Sequence, residues 1–302
     1  MSTRRIPLLA SAMALGAGAV WSFGAVTARL ADGADAFQYL IWRSVGIIVV
    51  VELFARAQRR PVQVVRAYRS GRLMLIGTVM IFVASIGFVY AVKTTTAANA
   101  AFFGSTTPIF GALLARVVLR ERLDRVTIGA IVLGFTGLFV MVAGDLSGGN
   151  MVGNASAVVS AIGFAGYAVC VRLDPDRDWS PALPGYGVLM IVVCGAVTLA
   201  GGKPLIPPMS DTAWALLHGG VFIVLGTFLF NVGSRQVPAA AMTVFAQTEM
   251  VLVPVWAFLV LDEVPKTTTL VGGGIIVTAI VGKALLDGRA RRTEPLPVME
   301  PL

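Results

Sequence analysis

Two stretches of the sequence decide how the chain is organised. They are KTTTAANAAFFGSTTPIFGALLARVVLRE at residues 93–121 and RQVPAAAMTVFAQTEMVLVPVWAFLVLDE at residues 235–263, which align without a gap at a shift of 142 residues. The identical pairs are Ala97/Ala239, Ala98/Ala240, Phe103/Phe245, Thr106/Thr248, Ala115/Ala257, Leu119/Leu261 and Glu121/Glu263. Each stretch begins with a basic residue, continues as an apolar run and ends at a glutamate. This agreement indicates an internal repeat.

The composition predicts a protein that lies within a lipid bilayer. Of 302 residues, 57% are hydrophobic and only 13% are charged, too few to cover the surface of a soluble domain. A membrane-spanning helix needs about 20 predominantly apolar residues. Ten suitable runs cover residues 6–29, 37–55, 73–92, 97–119, 126–144, 153–171, 183–201, 212–232, 238–260 and 268–286. We therefore predict an all-α integral membrane protein with ten transmembrane helices.

The repeat and the runs together predict the topology. Residues 21–30 also line up with residues 164–173, at a shift of 143 residues. Each repeat holds five runs, over residues 6–144 and 153–286, and an odd number of crossings turns the second repeat upside down. Inverted repeats are typical of secondary transporters, which bind substrate near the bilayer midplane. We expect one transporter domain over residues 1–302, with a central cavity between the repeats.

The distribution of basic residues predicts the orientation. With the N-terminus inside, nineteen Lys and Arg residues lie at inner loops and ends, and only Arg29, Lys93, Lys203 and Lys266 lie outside. Because cytoplasmic loops carry the excess of positive charge, we predict a bacterial inner-membrane protein with both termini cytoplasmic and a cytoplasmic tail at residues 287–302. Topology and contact with anionic lipid account for the net charge of +8, so we expect no nucleic-acid partner.

Several segments resemble the drug/metabolite transporter superfamily, and specifically its EamA family. They are Trp21-Ser22-Phe23-Gly24, Trp42-Arg43-Ser44, Tyr90-Ala91-Val92-Lys93-Thr94-Thr95 leading into Ala97-Ala98, Leu119-Arg120-Glu121-Arg122 and Leu261-Asp262-Glu263-Val264. The resemblance covers essentially the whole chain, and within the family the sequence is most similar to the YddG-type amino-acid exporters. It implies two five-helix repeats around a central cavity and export of small metabolites, and it leaves the substrate open.

Two charged residues lie at membrane depth, where a charge is costly and usually faces a cavity or a partner. Arg43 lies about seven residues into its run, roughly 10 Å deep at 1.5 Å per residue. We expect it to bind a substrate carboxylate through its guanidinium; the alternative is that it pairs with a carboxylate or with helix-end carbonyls to join helices. Glu249 lies near the middle of the ninth run. We expect it to bind a substrate amine or to take up a coupling proton; the alternative is a neutral or paired structural acid.

Further polar and aromatic residues complete the predicted substrate site. They are Thr107, Ser105, Gln247, Trp21, Tyr90 and Tyr167. Each also has a structural interpretation, because Ser and Thr form ordinary interhelical hydrogen bonds and aromatic rings pack between helices. His218 lies near the end of a run and is a weaker candidate.

Four residues are predicted to be structural. Pro108 and Pro254 lie inside runs, where proline loosens a helix and frees backbone carbonyls. Glu121 and Glu263 each come just before the next run. A carboxylate at that position favours the positive N-terminal end of the following helix.

The motifs of several function classes are absent from the sequence. There is no G-x-x-x-x-G-K-[ST] phosphate loop, no G-x-S-x-G or H-E-x-x-H motif and no metal-binding pair of cysteines. We expect no cofactor, no metal and no enzymatic activity. The predicted function is a secondary exporter of amino acids, including aromatic ones, or of related small metabolites, acting as a monomer in the simplest case. A proton-coupled exporter of cationic drugs is the first alternative, and an integral membrane enzyme acting on lipids is a remote one.

Overall fold

The computed structural model describes residues 8–95, 97–142, 150–261 and 266–289, and all regular elements in these ranges are helical. The helices are α1 Leu8–Trp21, α2 Phe23–Leu30, α3 Ala36–Ala57, α4 Gln63–Arg69, α5 Arg72–Thr94, α6 Ala97–Gly104, α7 Thr107–Val118, α8 Arg125–Val142, α9 Met151–Leu173, α10 Ala182–Ala200, α11 Met209–Leu217, α12 Val224–Ser234, α13 Ala239–Ala246, α14 Thr248–Leu261 and α15 Thr267–Arg289. A π-helical turn, His218–Ile223, joins α11 to α12.

Eight helical stretches are long and apolar enough to cross a membrane. They cover Leu9–Leu30, Arg72–Thr94, Arg125–Val142, Met151–Leu173, Ala182–Ala200, Met209–Ser234, Ala239–Val260 and Thr267–Leu286, and a shorter apolar helix covers Phe102–Val118. The prediction of an all-α membrane protein is therefore confirmed for the described residues. The number of ten crossings stays a prediction, with α3 as the remaining candidate.

Local sequence explains where two of the long helices begin. Asp35 precedes α3, and one of its carboxylate oxygens accepts hydrogen bonds from the backbone N–H groups of Phe37 and Gln38, both at 2.9 Å. The Gln38 side chain in turn accepts from the Asp35 backbone N–H at 3.1 Å, which completes a capping box. Asn150 caps α9 in a similar way, because its side-chain oxygen accepts from the N–H groups of Val152 and Gly153.

Several helical stretches are interrupted, two of them at equivalent positions of the repeat. α6 and α7 separate at Ser105, and α13 and α14 separate at Gln247, which lies 142 residues after Ser105, the shift of the repeat.

Pro108 lies in the first turn of α7. A proline there leaves no hydrogen bond unmade, because the first N–H groups of a helix have no partner within it. Pro108 closely follows the break at Ser105, and Pro254 lies within α14, where its side chain is not among those described. The structural role predicted for both prolines stays a prediction.

The helices of the two halves pack in pairs. α5 packs along α9, and α1 packs along α12. In the repeat, α5 of the first half corresponds to α12 of the second, and α1 corresponds to α9, so these two pairs are equivalent to each other. α3 packs along α10 and α8 along α15, and each of these pairs joins two helices that correspond to each other in the repeat. Close approach of the backbones accompanies this packing. A Cβ atom on Gly163 of α9 would lie 2.7 Å from the backbone nitrogen of Ala84 on α5, so only glycine permits this contact.

Some predictions concern residues outside the described ranges. Glu263 and residues 290–302 are among them, so the structural role predicted for Glu263 stays a prediction. The predicted tail at residues 287–302 stays a prediction; α15 continues to Arg289, and the candidate membrane span within it ends at Leu286.

Candidate substrate cavity

A cavity lies where the interrupted helices meet α3, α5, α9 and α10. The space it encloses, together with the open solvent at its mouth, is about 970 Å³. Its polar lining consists of Arg43, Ser85, Thr107, Ser160, Tyr186, His218, Thr227, Thr243, Gln247 and Glu249. Its larger apolar lining residues are Trp21, Ile81, Phe88, Phe164, Ile223 and Met250. Among the described residues, α8 and α15 contribute none of the lining and pack on each other.

Arg43 brings a buried positive charge to the cavity from α3. The residue is 2% exposed, and its guanidinium donates a hydrogen bond to the hydroxyl of Ser85 on α5. Its Nε has no hydrogen-bond partner in the described part of the chain. No described carboxylate forms an ion pair with it. A buried guanidinium that lacks a carboxylate partner is costly on its own, and it can bind an anionic group that enters the cavity.

Glu249 brings a carboxyl group to the same cavity from the first turn of α14. The break at Gln247 places it there, because α13 ends at Ala246 and α14 starts at Thr248. Close packing of α1 fixes this position. A Cβ atom on Gly18 would lie 2.9 Å from the carbonyl oxygen of Ala246 and 3.1 Å from the backbone nitrogen of Glu249. Within the described ranges, the Glu249 carboxyl has no ion-pair partner, so it too is available to a ligand.

The two helix breaks meet at one side of the cavity. Thr107 lines the cavity, and its hydroxyl donates to the carbonyl of Gly104 at 2.7 Å, across the break between α6 and α7. The Gln247 side chain also lines the cavity and donates to the carbonyl of Ser105 at 3.3 Å. Ser105 itself is buried and lies beside a separate small cavity that Pro108 also lines. The structure therefore brings Thr107 and Gln247 to the central cavity and places Ser105 behind it.

Trp21 forms part of the aromatic wall. Its ring packs edge-on against Phe164, with centroids 5.4 Å apart, and lies 5.5 Å from Phe230. Gly226 on α12 makes room for the indole, because a Cβ atom there would lie 2.5 Å from Cδ1 of Trp21. The prediction that Trp21 lines the cavity agrees with this placement.

Tyr90 and Tyr167 do not line the cavity, contrary to the prediction. Tyr90 packs near Phe37, with ring centroids 5.8 Å apart. Tyr167 is fully buried, and its hydroxyl donates to the Asn231 side chain at 2.8 Å. Both residues lie on helices that are apolar on all sides, so the sequence does not indicate which side faces the cavity.

His218, Ser85 and Tyr186 have a larger part in the cavity than the sequence suggested. The ring of His218 is buried, and its Nδ1 lies 2.7 Å from the hydroxyl oxygen of Tyr39. The sequence does carry one signal for this position of His218. Two glycines follow it directly, and glycines allow the backbones of neighbouring helices to approach closely. Gly219 packs directly on the carbonyl of Arg43, so the π-helical turn and α3 are in backbone contact at the cavity.

Glu121 forms an ion pair with Arg172 instead of capping the helix that follows it. Its carboxylate accepts a hydrogen bond from Nε of Arg172 at 3.0 Å, which joins the end of α9 to the segment before α8. The acid that caps α8 is Asp124, which accepts from the Thr127 backbone N–H at 2.6 Å. Burial alone would raise the pKa of Asp124, but the Thr127 hydrogen bond and the nearby Lys283 outweigh it and hold the pKa below its usual value.

Acidic, cysteine and histidine side chains do not gather into a metal site in the described part of the chain. No group of three or more His, Cys, Asp or Glu residues lies close enough together there to hold a metal ion. Cys170 and Cys194 are buried thiols that form no disulfide.

Comparison with known proteins identifies the family. The sequence profile of the EamA-like transporter family matches residues 8–143 and again residues 151–283. The chain belongs to the EamA-like transporter family. The two matched segments correspond to the two halves of the chain, and the predicted resemblance is confirmed.

Relatives of this EamA-like protein are also named as transporters. The pseudopaline exporter CntI of Pseudomonas aeruginosa is 23% identical over 281 residues, which cover 91% of this chain and 96% of CntI. The uncharacterized transporter YetK of Bacillus subtilis (strain 168) is 24% identical over 217 residues, which cover 67% of this chain and 66% of YetK. A solved crystal structure has the same fold, with a TM-score of 0.73 at 16% identity over 92% of this chain and 98% of the other.

These matches give the function at a coarse level. The EamA-like protein is a multi-pass membrane transporter and not an enzyme. Its relatives support a membrane exporter of small metabolites.

Proposed function

We propose that this protein is a secondary active transporter that exports amino acids, including aromatic ones, or related small metabolites by alternating access. One observation carries the proposal. The guanidinium of Arg43 and the carboxyl of Glu249 face the same cavity, and neither forms an ion pair within the described residues. A zwitterionic substrate supplies a partner for each of them.

The balance of charge in the cavity supports a zwitterion over a simple anion or cation. A carboxylate bound by Arg43 forms charge-assisted hydrogen bonds, which are about twice as strong as neutral ones. Glu249 offers a negative group to the ammonium of the same molecule or carries the coupling proton in exchange for it. The aromatic wall of Trp21, Phe88 and Phe164 suits an apolar or aromatic side chain.

The topology that we propose has ten crossings in two inverted repeats, over residues 6–144 and 153–286, with both termini in the cytoplasm of a bacterial inner membrane. The exchanged pairing of α5 with α9 and of α1 with α12 supports the repeats. The helix breaks at Ser105 and Gln247, one repeat shift apart, support them as well. Broken helices that line a midplane cavity are typical of secondary transporters.

The direction and the driving force are part of the proposal. CntI, which matches over most of its length, is named as an exporter, and this favours export. Coupling to protons is favoured by Glu249, the sole carboxyl group among the described lining residues of the cavity.

A proton-coupled exporter of cationic drugs is the second candidate. The carboxyl of Glu249 beside the rings of Trp21 and Phe88 favours it, because cations are attracted to both. Arg43 argues against it, because a second positive charge in the cavity repels a cation that has no carboxylate.

Counterflow in proteoliposomes tests the proposal, because exchange needs no gradient and so separates substrate from coupling. We expect saturable exchange of unlabelled for labelled amino acids by the wild-type protein. Arg43→Gln should lower exchange at subsaturating substrate roughly ten- to a hundredfold, because it removes charge-assisted hydrogen bonds of about 1.5–3 kcal/mol. Arg43→Lys is the matched control, since it keeps the positive charge and loses the paired N–H groups with which a guanidinium binds a carboxylate.

A second arm tests coupling. Glu249→Gln should lose the response of net export to a pH gradient, whereas the wild-type protein keeps this response. Exchange of quaternary ammonium compounds but of no amino acid, with Arg43→Gln fully active, would replace the proposal with the cationic-drug exporter. No exchange of any amino acid by folded wild-type protein would overturn it.

A further inference from the structure

His218 lies in the cavity wall with its ring held from behind. It is the single histidine of the chain, and it occupies the first position of the π-helical turn between α11 and α12. The residue is 5% exposed, and it lines the cavity together with Gly24 and Arg43. Behind the ring, Nδ1 lies 2.7 Å from the hydroxyl oxygen of Tyr39, which is itself fully buried.

The hydrogen bonds behind the ring form a chain that accommodates a hydrogen on Nδ1. The Thr27 hydroxyl donates to the carbonyl of Gly24 at 3.0 Å, and its oxygen lies 3.2 Å from the hydroxyl oxygen of Tyr39. In this arrangement Tyr39 donates to Thr27, and its oxygen accepts from Nδ1 of His218. A neutral ring of this tautomer keeps a lone pair on Nε2.

Nε2 lies on the side of the ring that packs against Gly24, which has no side chain to cover it. A Cβ atom on Gly24 would lie 2.6 Å from Nε2, so the missing side chain is what leaves room for the ring. Both residues line the cavity. Within the described ranges, the His218 ring forms its hydrogen bond with Tyr39, through Nδ1, and no group donates a hydrogen bond to Nε2.

His218 and Arg43 belong to adjoining backbone segments. Gly219, the residue after His218, packs directly on the carbonyl of Arg43. Both side chains also line the cavity. A molecule that carries an ammonium and a carboxylate on a single carbon, as an α-amino acid does, offers a partner to each of them.

We propose that His218 accepts a hydrogen bond from the ammonium of an α-amino acid through Nε2, while Arg43 binds the carboxylate of the same molecule. Thr27 and Tyr39 are positioning residues, because they hold the hydrogen on Nδ1 and so keep Nε2 free to accept. This inference rests on the proposed function and deepens it by naming α-amino acids and the group that recognises their amine. Glu249 is then left for the coupling proton.

The first experiment determines which ring nitrogen of His218 carries the hydrogen. Protein labelled with ¹⁵N in its single histidine, and purified with a tag that contains no histidine, is examined by NMR without substrate at neutral pH. We expect a protonated Nδ1 and an unprotonated Nε2 in the wild-type protein. Tyr39→Phe should alter the distribution of the hydrogen between the nitrogens, and Trp42→Phe, next to Arg43 but outside this hydrogen-bond chain, should not. A hydrogen on Nε2 of the wild-type protein would overturn the proposal, whatever the substrate is.

The second experiment measures specificity by counterflow with an α-amino acid and its N-trimethyl analogue, which has no N–H group. The wild-type protein should prefer the amino acid about tenfold or more, because the analogue leaves a buried acceptor unpaired. His218→Asn keeps an amide N–H for Tyr39 and removes the acceptor, so it should abolish the preference. His218→Gln, whose longer side chain carries an amide oxygen to the position of Nε2, should restore part of it.

The outcomes separate this inference from the proposed function. Wild-type exchange of amino acids, with an undiminished preference in folded His218→Asn protein, overturns the assignment of His218 alone. Failure of the wild-type protein to exchange any amino acid overturns both. If His218→Asn does not fold, the preference of His218→Gln and the NMR result on the wild-type protein decide the question.

Discussion

The two helix pairs that exchange with each other across the halves differ in regularity. α5 and α9 are each continuous over 23 residues. In the related pair, α1 gives way to α2 after a single residue, and α12 follows a π-helical turn. Both pairs line the cavity. The two pairs are equivalent in the repeat, but one consists of continuous helices and the other of interrupted ones.

The contents of the two interfaces differ accordingly. Between α5 and α9, Gly163 meets the backbone of Ala84, and the Ser160 hydroxyl donates to the carbonyl of the same residue at 2.7 Å. Between α1 and α12, the indole of Trp21 fills the space over Gly226. The continuous pair is therefore joined by contacts to its backbone, whereas the interrupted pair accommodates a large side chain, and both pairs present side chains to the cavity. Interruptions within helices often occur at functional sites.

The largest effect is expected from filling the continuous interface. Gly163→Val should destabilise the protein by about 3 kcal/mol, the upper end for overpacking, because the new side chain meets the backbone of α5, which cannot move aside. Thermal unfolding of the purified protein in detergent measures this. Gly195→Val is the control, since nothing lies within 4 Å of a Cβ atom there. Equal stability of the two variants would contradict close packing of α5 on α9.

Filling the interrupted interface should affect stability less and transport more. Gly226→Val meets the Trp21 side chain, which can rotate, so we expect a loss of stability of about 1–2 kcal/mol. Because Trp21 lines the cavity, the half-saturation concentration for exchange should increase roughly tenfold, equivalent to about 1.4 kcal/mol. Gly282→Val, with open space around its Cβ position, serves for comparison. Unchanged exchange in Gly226→Val would show that the two pairs do not differ in function.

Removing the hydrogen bond across the continuous pair should have a smaller effect. Ser160→Ala should lower stability by about 1 kcal/mol, because it deletes a buried hydrogen bond to the neighbouring helix. Ser156→Ala on the same helix is the matched control, since that hydroxyl donates to the Val152 carbonyl within α9. If Ser160→Ala lost no more stability than Ser156→Ala, the hydrogen bond from Ser160 would not stabilise the packing of α9 on α5.

The smallest effect is expected where the continuous pair leaves the membrane. Asp178, in the loop after α9, accepts a hydrogen bond from Arg66 at 2.9 Å, and Arg177 donates to the Ser70 carbonyl just before α5. Burial alone would raise the pKa of Asp178, but hydrogen bonds from Ser180 and Arg66 outweigh it and hold the pKa below its usual value. The carboxylate therefore stabilises the fold above the unfolded pKa of about 3.9, and this contribution is lost as the pH falls through the lower folded pKa.

Asp178→Asn tests this contribution. The side chain is 35% exposed, so solvent screens it, and we expect a loss of less than about 1 kcal/mol at pH 7. Unfolding measured from pH 7 downward should show the difference from wild type shrinking as the carboxylate is protonated. A difference that stays constant over this pH range would mean that the charge of Asp178 is not its cause.

Sequence reasoning identified the two charged residues of the cavity but few of their neighbours. Arg43 and Glu249 were found because a charge within an apolar run is costly and needs a reason. Tyr90 and Tyr167 were placed wrongly because aromatic residues within such runs carry no comparable signal. Ser85 and Tyr186 were missed for the same reason, since a hydroxyl is tolerated on either side of a membrane helix.

The class of the protein, the approximate ends of its helices and its division into two related halves could all be predicted from the amino-acid sequence. Those properties follow from local hydropathy, charge and the repeat shift, which need no knowledge of neighbouring helices. The side of each helix that faces the cavity, and the helices that are interrupted, became known from the packing of the folded chain. In a membrane the lipid-facing side and the packed side of a helix are both apolar, so no periodic pattern marks the inner side. The position of His218 beside Arg43 therefore depends on the packing of α3 against the π-helical turn.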